Sequence, residues 1–87
     1  MSQVVHSDKQ TILTYFLPPT NFKGSRIVAK CEARRRIYSW DHSLGSEQNH
    51  AEAADRLIHE LGWNQDDDKW IGGWVRGTGY VWVCVDE

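Results

Sequence analysis

Cysteine is nearly absent from this chain. Only Cys31 and Cys84 among 87 residues carry a thiol, and no CxxC pair occurs. That excludes disulfide-knitted frameworks and zinc ribbons, which need several thiols at set spacing. Both cysteines fall in apolar, strand-like runs, where a thiol behaves as a small hydrophobe in a reducing cytoplasm. Long apolar runs are also missing: none approaches the roughly 20 residues needed to cross a bilayer. Met1 to Gln10 is polar, with His6, Asp8 and Lys9 where the apolar part of a signal peptide would stand. The expected location is therefore cytoplasmic, with no membrane contact. An excess of charge of one sign is missing as well. Ten Lys and Arg face twelve Asp and Glu, for a net charge of −2 and a pI near 6.0. Such a chain has no global pull toward nucleic acid or an anionic membrane.

What is present is ordinary for a folded protein: 40% hydrophobic and 25% charged residues. The length allows one core. Residues 1–10 show no period and read as a flexible N-terminal segment, leaving 11–87 as a single domain. Five tryptophans in so short a chain are unusual. Large aromatics stabilise thin domains by the area they bury, and they are also enriched at binding hot spots.

Periodicity predicts an α+β fold with about five antiparallel strands in the order β-β-β-α-β-β. Thr11 to Leu17 is β-branched and aromatic and stops at Pro18-Pro19. Ser25 to Cys31 alternates, with Ile27, Ala29 and Cys31 on one face. Arg36 to Trp40 pairs back on it, placing Arg34, Arg35 and Arg36 at a hairpin tip. Ser46 to Leu61 reads as one amphipathic helix. Ser46 is its expected N-cap, and Ala51, Ala54, Ile58 and Leu61 form its apolar stripe, widened by Leu57. Gly62 supplies the left-handed stop, with Trp63 packing back on Ile58. Asn64 to Asp68 is a polar turn. Trp70 to Val75 and Tyr80 to Val85 form a second hairpin around Arg76-Gly77-Thr78-Gly79. Gly72-Gly73 suggests a bulge or a close backbone approach. The last strand is apolar on both faces, Val81, Val83 and Val85 against Tyr80, Trp82 and Cys84, which predicts a strand buried on both sides. One helix covers only one face, so a partner, a loop or the N-terminal segment must cover the other.

Chemistry-bearing residues do not assemble into a known site. His6, His42, His50 and His59 lack metal-ligand spacing, and a metal would have to gather Asp41, His42 and His50. Ser43 and Ser46 lie near His42 and Asp41 but fit helix entry better than a nucleophile's role. Lys23-Gly24-Ser25-Arg26 offers cations and donors for an anion without the glycine spacing or following helix of a phosphate loop. The expectation is a non-enzymatic protein with no cofactor.

Three segments, PPTNFKGSRIVA (Pro18 to Ala29), WDHSLGSEQNHAEAADRL (Trp40 to Leu57) and LGW (Leu61 to Trp63), carry a resemblance. The chain resembles a group of small uncharacterised proteins encoded in bacterial genomes, phages and plasmids, similar in a TN-KGSRI segment, a DH-L turn, an NH-AA helix start and a closing GYV strand. The resemblance implies a mobile-element context, in which small proteins act by binding and blocking host machinery. It implies no activity and no site residues.

The resulting expectation is an interaction domain that binds a protein partner or forms a homodimer through the sheet face away from the helix. Tyr38, Trp40 and Trp82 are its expected leading contacts, with Lys23 and Arg26 as further candidates. The alternative is nucleic-acid binding, with Arg34, Arg35 and Arg36 on phosphates and sheet aromatics stacking on bases.

Overall fold

The computed structural model describes residues 10–63 and 69–85. Strands β1 (Ile12–Leu17), β2 (Arg26–Lys30) and β3 (Arg35–Ser39) precede helix α1 (Ser46–Leu61), and β4 (Lys69–Val75) and β5 (Gly79–Val85) follow it. They form one antiparallel sheet in the order β3-β2-β1-β5-β4. The α+β architecture and its β-β-β-α-β-β order are as the periodicity predicts. The expected N-terminal segment, apart from Gln10, and the expected Asn64 to Asp68 turn lie outside the described residues. The Gln10 side chain accepts from Ala33 N–H at 2.8 Å, which ties the entry to β1 to the β2–β3 turn.

The strand order explains why the chain needs its helix. β3 and β4 stand at opposite edges, and both run parallel to β1, so the chain must cross the sheet and return to the same end. Sixteen helical residues span about 24 Å, close to the length of a seven-residue strand. The helix packs over β1 and β2. Ile12, Ile27, Ala29, Ala53, Ala54, Leu57 and Ile58 form the core between the two layers.

Two features of the helix differ from the sequence expectation. Gly45, extended at ψ 169°, holds the N-cap position with no side-chain hydrogen bond, and Ser46 is already the first helical residue. The loop is closed by Asn49 instead. Its buried amide accepts from Asp41 N–H at 2.8 Å and donates to the carbonyls of Asp41, Leu44 and Gly45. The buried stripe runs through Asn49, His50, Ala53, Ala54, Leu57 and Ile58, while Ala51 is exposed. Alanine is silent about facing, so its small apolar side chain gave Ala51 and Ala53 equal claims. The stop is as expected. Gly62 has φ 74°, its N–H reaches His59 O, and Trp63 N–H reaches Ile58 O, which together make a Schellman motif.

Close approach decides two glycines. A Cβ on Gly72 would lie 2.4 Å from the Trp82 ring, which crosses β4 at that point. The β4–β5 register runs unbroken from Lys69 opposite Val85 to Val75 opposite Gly79, so the pair of glycines marks an approach and not a bulge. Gly79 has φ 133°, and a Cβ there would overlap the Thr14 carbonyl. Only glycine allows β5 to leave its turn and join β1.

Candidate interaction surfaces

Antiparallel registers place facing residues on the same side of the sheet. The side away from the helix therefore carries Leu13, Tyr15 and Leu17 from β1, Val28 from β2, Ile37 from β3, and Ile71, Val75, Val81, Val83 and Val85 from β4 and β5. Ile37, Ile71, Val75 and Val83 are between 37% and 52% exposed. The last strand is thus not buried on both sides as predicted, because no described helix or strand covers its valine face. Charge on this side has one sign. Arg26, Lys30, Arg35 and Lys69 lie on it, and none of the strand residues on it is acidic. Lys30 Nζ sits 5.6 Å from the Tyr15 ring centre, a cation–π contact that holds it over the sheet.

The aromatics expected to lead this surface lie on the opposite side. Tyr38 faces Ile27 and packs on the core, with the Arg56 guanidinium of the helix 5.3 Å from its ring centre. Burial first, and then the nearby Glu60 carboxylate, push its phenol above the ordinary value. Trp82 faces Ile12 and Gly72 under the helix layer. Trp40 meets Phe16 edge-on at 5.0 Å and His50 at 6.1 Å. Alternation gives the two faces of a strand but not which of them meets the helix, and the larger side chains were in fact the inner ones.

The arginine run also divides. Arg36 Nε donates to both Glu60 carboxylate oxygens at 2.9 and 3.0 Å, its Nη2 lies 2.8 Å from Oε1, and Arg34 lies 3.8 Å from the same group. Arg35 faces the other way, opposite Lys30. Arg35 and Arg36 are strand residues rather than a hairpin tip; the turn is closed by Cys31 N–H on Arg34 O. The three cations therefore do not share one face: Arg36 lies on the side of Tyr38, and Arg35 on the side of Tyr15. Lys23 belongs to a loop folded around Thr20, whose hydroxyl accepts from Phe22 and Lys23 N–H. Arg26 Nε donates to Gly24 O at 3.3 Å. Asp41, His42 and His50 do not converge: among the described residues no three His, Cys, Asp or Glu gather at a metal-sized site. Asp41 is occupied locally, accepting from the Ser43 hydroxyl and N–H, which lowers its carboxyl pKa.

Sequence reasoning missed a polar chain under the helix. Trp82 Nε1 donates to Thr14 Oγ1 at 3.0 Å, and the same hydroxyl lies 2.8 Å from His50 Nδ1. Thr14 and His50 are both buried, and His50 sits between the Trp40 and Tyr80 rings. Burial lowers the His50 pKa from its ordinary 6.5, with a hydrogen bond to the Thr14 backbone opposing the shift. The sign available in sequence was a threonine in an apolar strand aligned with a histidine on the helix stripe. Phe22 was also passed over, although it is 94% exposed in the β1–β2 loop.

No family model, curated protein or solved structure matches the chain. Among the described residues no helix is long and apolar enough to cross a membrane.

Proposed function

We propose that the protein is a non-enzymatic interaction domain that binds an acidic protein surface on the sheet face away from its helix. One observation carries this reading: four exposed β-branched side chains share that face with four cations and no strand carboxylate. Apolar area supplies affinity, while charge of one sign selects the partner and speeds encounter. A second copy is a poorer occupant, because face-to-face pairing would bring like charges together.

The reading is tested by capture of host proteins on the immobilised chain and on two variants. Ile71→Glu with Val83→Glu should abolish the capture, whereas Arg56→Gln on the helix should preserve it. Rising salt should weaken the specific complex, since surface charges are screened within about 8 Å at physiological ionic strength. Capture unaffected by the paired glutamates would remove the sheet face as the binding surface.

A further inference from the structure

Helix α1 packs chiefly over β1 and β2, so the β4–β5 hairpin lies beside it with Trp70 and Trp82 on the helix side. Between them runs a groove of about 480 Å³. Gln48, Ala51, Glu52 and Asp55 stand on its helix wall, and Trp70 and Trp82 on its sheet wall. We propose that this groove binds a small organic cation, an alkylated ammonium ion of the choline class, with its charge over the Trp82 ring and beside the Glu52 and Asp55 carboxylates. The surface proposed above for the protein partner is on the other side of the sheet.

The attitude of the Trp82 ring makes it a platform. A Cβ placed on Gly72 would stand 2.4, 2.4 and 2.7 Å from three consecutive ring atoms, Cε3, Cζ3 and Cδ2. Distances so nearly equal put that point over the face of the ring. A point in the ring plane, beyond the Cε3–Cζ3 edge, would be much farther from Cδ2. The indole therefore lies flat on the Gly72 backbone, and its Nε1, donating to Thr14 Oγ1 at 3.0 Å, fixes its rotation. Its second face is turned to the helix side, where the groove lies. An indole face is the best side-chain surface for a cation. Trp70 extends this wall, parallel to Trp63 with 5.9 Å between ring centres. The Trp70 N–H is buried without a partner among the described residues, so the chain does not satisfy this wall by itself.

The helix wall sets the sign of the ligand. Positions 48, 51, 52 and 55 follow the i, i+3, i+4, i+7 spacing and so share one flank of α1. The small Ala51 leaves room there, while Glu52 and Asp55 bring negative charge. None of the lining residues is basic. The helix's own Arg56 is engaged elsewhere, 5.3 Å from the Tyr38 ring centre. Asp55 has only His59 near it, at 3.4 Å, and Glu52 enters no ion pair among the described residues. A strongly hydrated inorganic ion gains little from an aromatic wall. An alkylated ammonium ion gives up its water more easily, so ring face and carboxylates act on it together. An anionic group on the same molecule would meet Glu52 and Asp55, which favours a cation with a neutral remainder.

The test titrates the full chain with choline, its neutral isostere 3,3-dimethylbutan-1-ol, and phosphocholine, following tryptophan fluorescence and the methyl proton resonances of the ligand. Choline should bind about tenfold more tightly than the neutral alcohol, and its methyl resonance should move upfield, as protons over a ring face do. Phosphocholine presents the same cation as a lipid headgroup does, and should bind about tenfold more weakly than choline because its phosphate meets two carboxylates. Trp82→Ala would remove a hydrogen bond and core area, so exposed helix positions serve instead. Ala51→Leu should fill the groove and abolish choline binding. Glu52→Gln with Asp55→Asn should weaken it about tenfold, and the urea midpoints of both variants should stay near the parent's. Equal affinity for choline and the neutral alcohol would reduce the groove to a non-selective apolar cleft and overturn the proposal. Choline binding undiminished in either variant, phosphocholine binding as tight as choline, or no saturable binding of choline would overturn it equally.

Discussion

His50 shows how one side chain couples the helix to the sheet through a single proton. Its Nδ1 lies 2.8 Å from Thr14 Oγ1, and burial favours the neutral ring. The folded-state pKa therefore lies below the unfolded value of 6.5. Above that value the ring is neutral in both states and has no pH-dependent effect. As pH falls through 6.5 the unfolded chain takes up the proton first, and stability declines until the folded pKa is passed. Urea midpoints should therefore fall as pH falls below 6.5, and His50→Gln should remove that part of the slope. An unchanged slope in the variant would show that His50 does not titrate in this way. The Asp41 carboxyl acts in the same sense but in a lower range. Its pKa is lowered by Ser43, so its contribution disappears only in acid, as pH falls through the carboxylate range.

The helix rests on two alanines that let it approach the sheet. Ala53 and Ala54 are buried against Ile12, Ile27 and Ala29, whereas Ala51 looks outward. Ala53 is 2% exposed in that core, so Ala53→Leu should destabilise the fold by about 1–3 kcal/mol through overpacking. Ala51→Leu, at an exposed position, should stay within about 0.5 kcal/mol of the parent. Urea denaturation of the two variants distinguishes them, and equal losses would contradict the observed helix rotation. The element's existence was legible in sequence because Gly62 and the Leu57–Ile58–Leu61 run each fix it independently. Its rotation was not, because its three alanines, 51, 53 and 54, constrain facing so weakly. Asn49 was illegible for a related reason. An amide reads as surface until the loop carbonyls that surround it are known. The strands were readable from alternation, but sheet order was not. The C-terminal hairpin joins β1 through Ile12–Trp82, Leu13–Val81 and Thr14–Tyr80 and the close approach of Gly79 to Thr14, a pairing that no local pattern reveals.

At the scale of the molecule the two sides of the sheet differ in both shape and charge. The helix side carries Glu47, Glu52, Asp55 and Glu60, and Glu60 draws Arg34 and Arg36 toward it. The open side keeps Arg26, Lys30, Arg35 and Lys69 beside its exposed isoleucines and valines. Two identical open faces would attract through apolar area and repel through charge. At low ionic strength repulsion acts over a longer range, since the Debye length grows to about 30 Å at 0.01 M salt. The chain should then scatter light as a monomer of 10.1 kDa. Reversing Arg26, Lys30, Arg35 and Lys69 to glutamate would make a second chain whose face is complementary to the first. The reversed chain alone should also be monomeric, because its four negative charges repel one another as the four positive ones do. A mixture of the two should show a species of twice the chain mass that dissociates as salt is raised. If the unmodified chain alone were dimeric at low salt, attraction between copies would exceed their repulsion. The open face would then belong to a homodimer and not to an acidic partner.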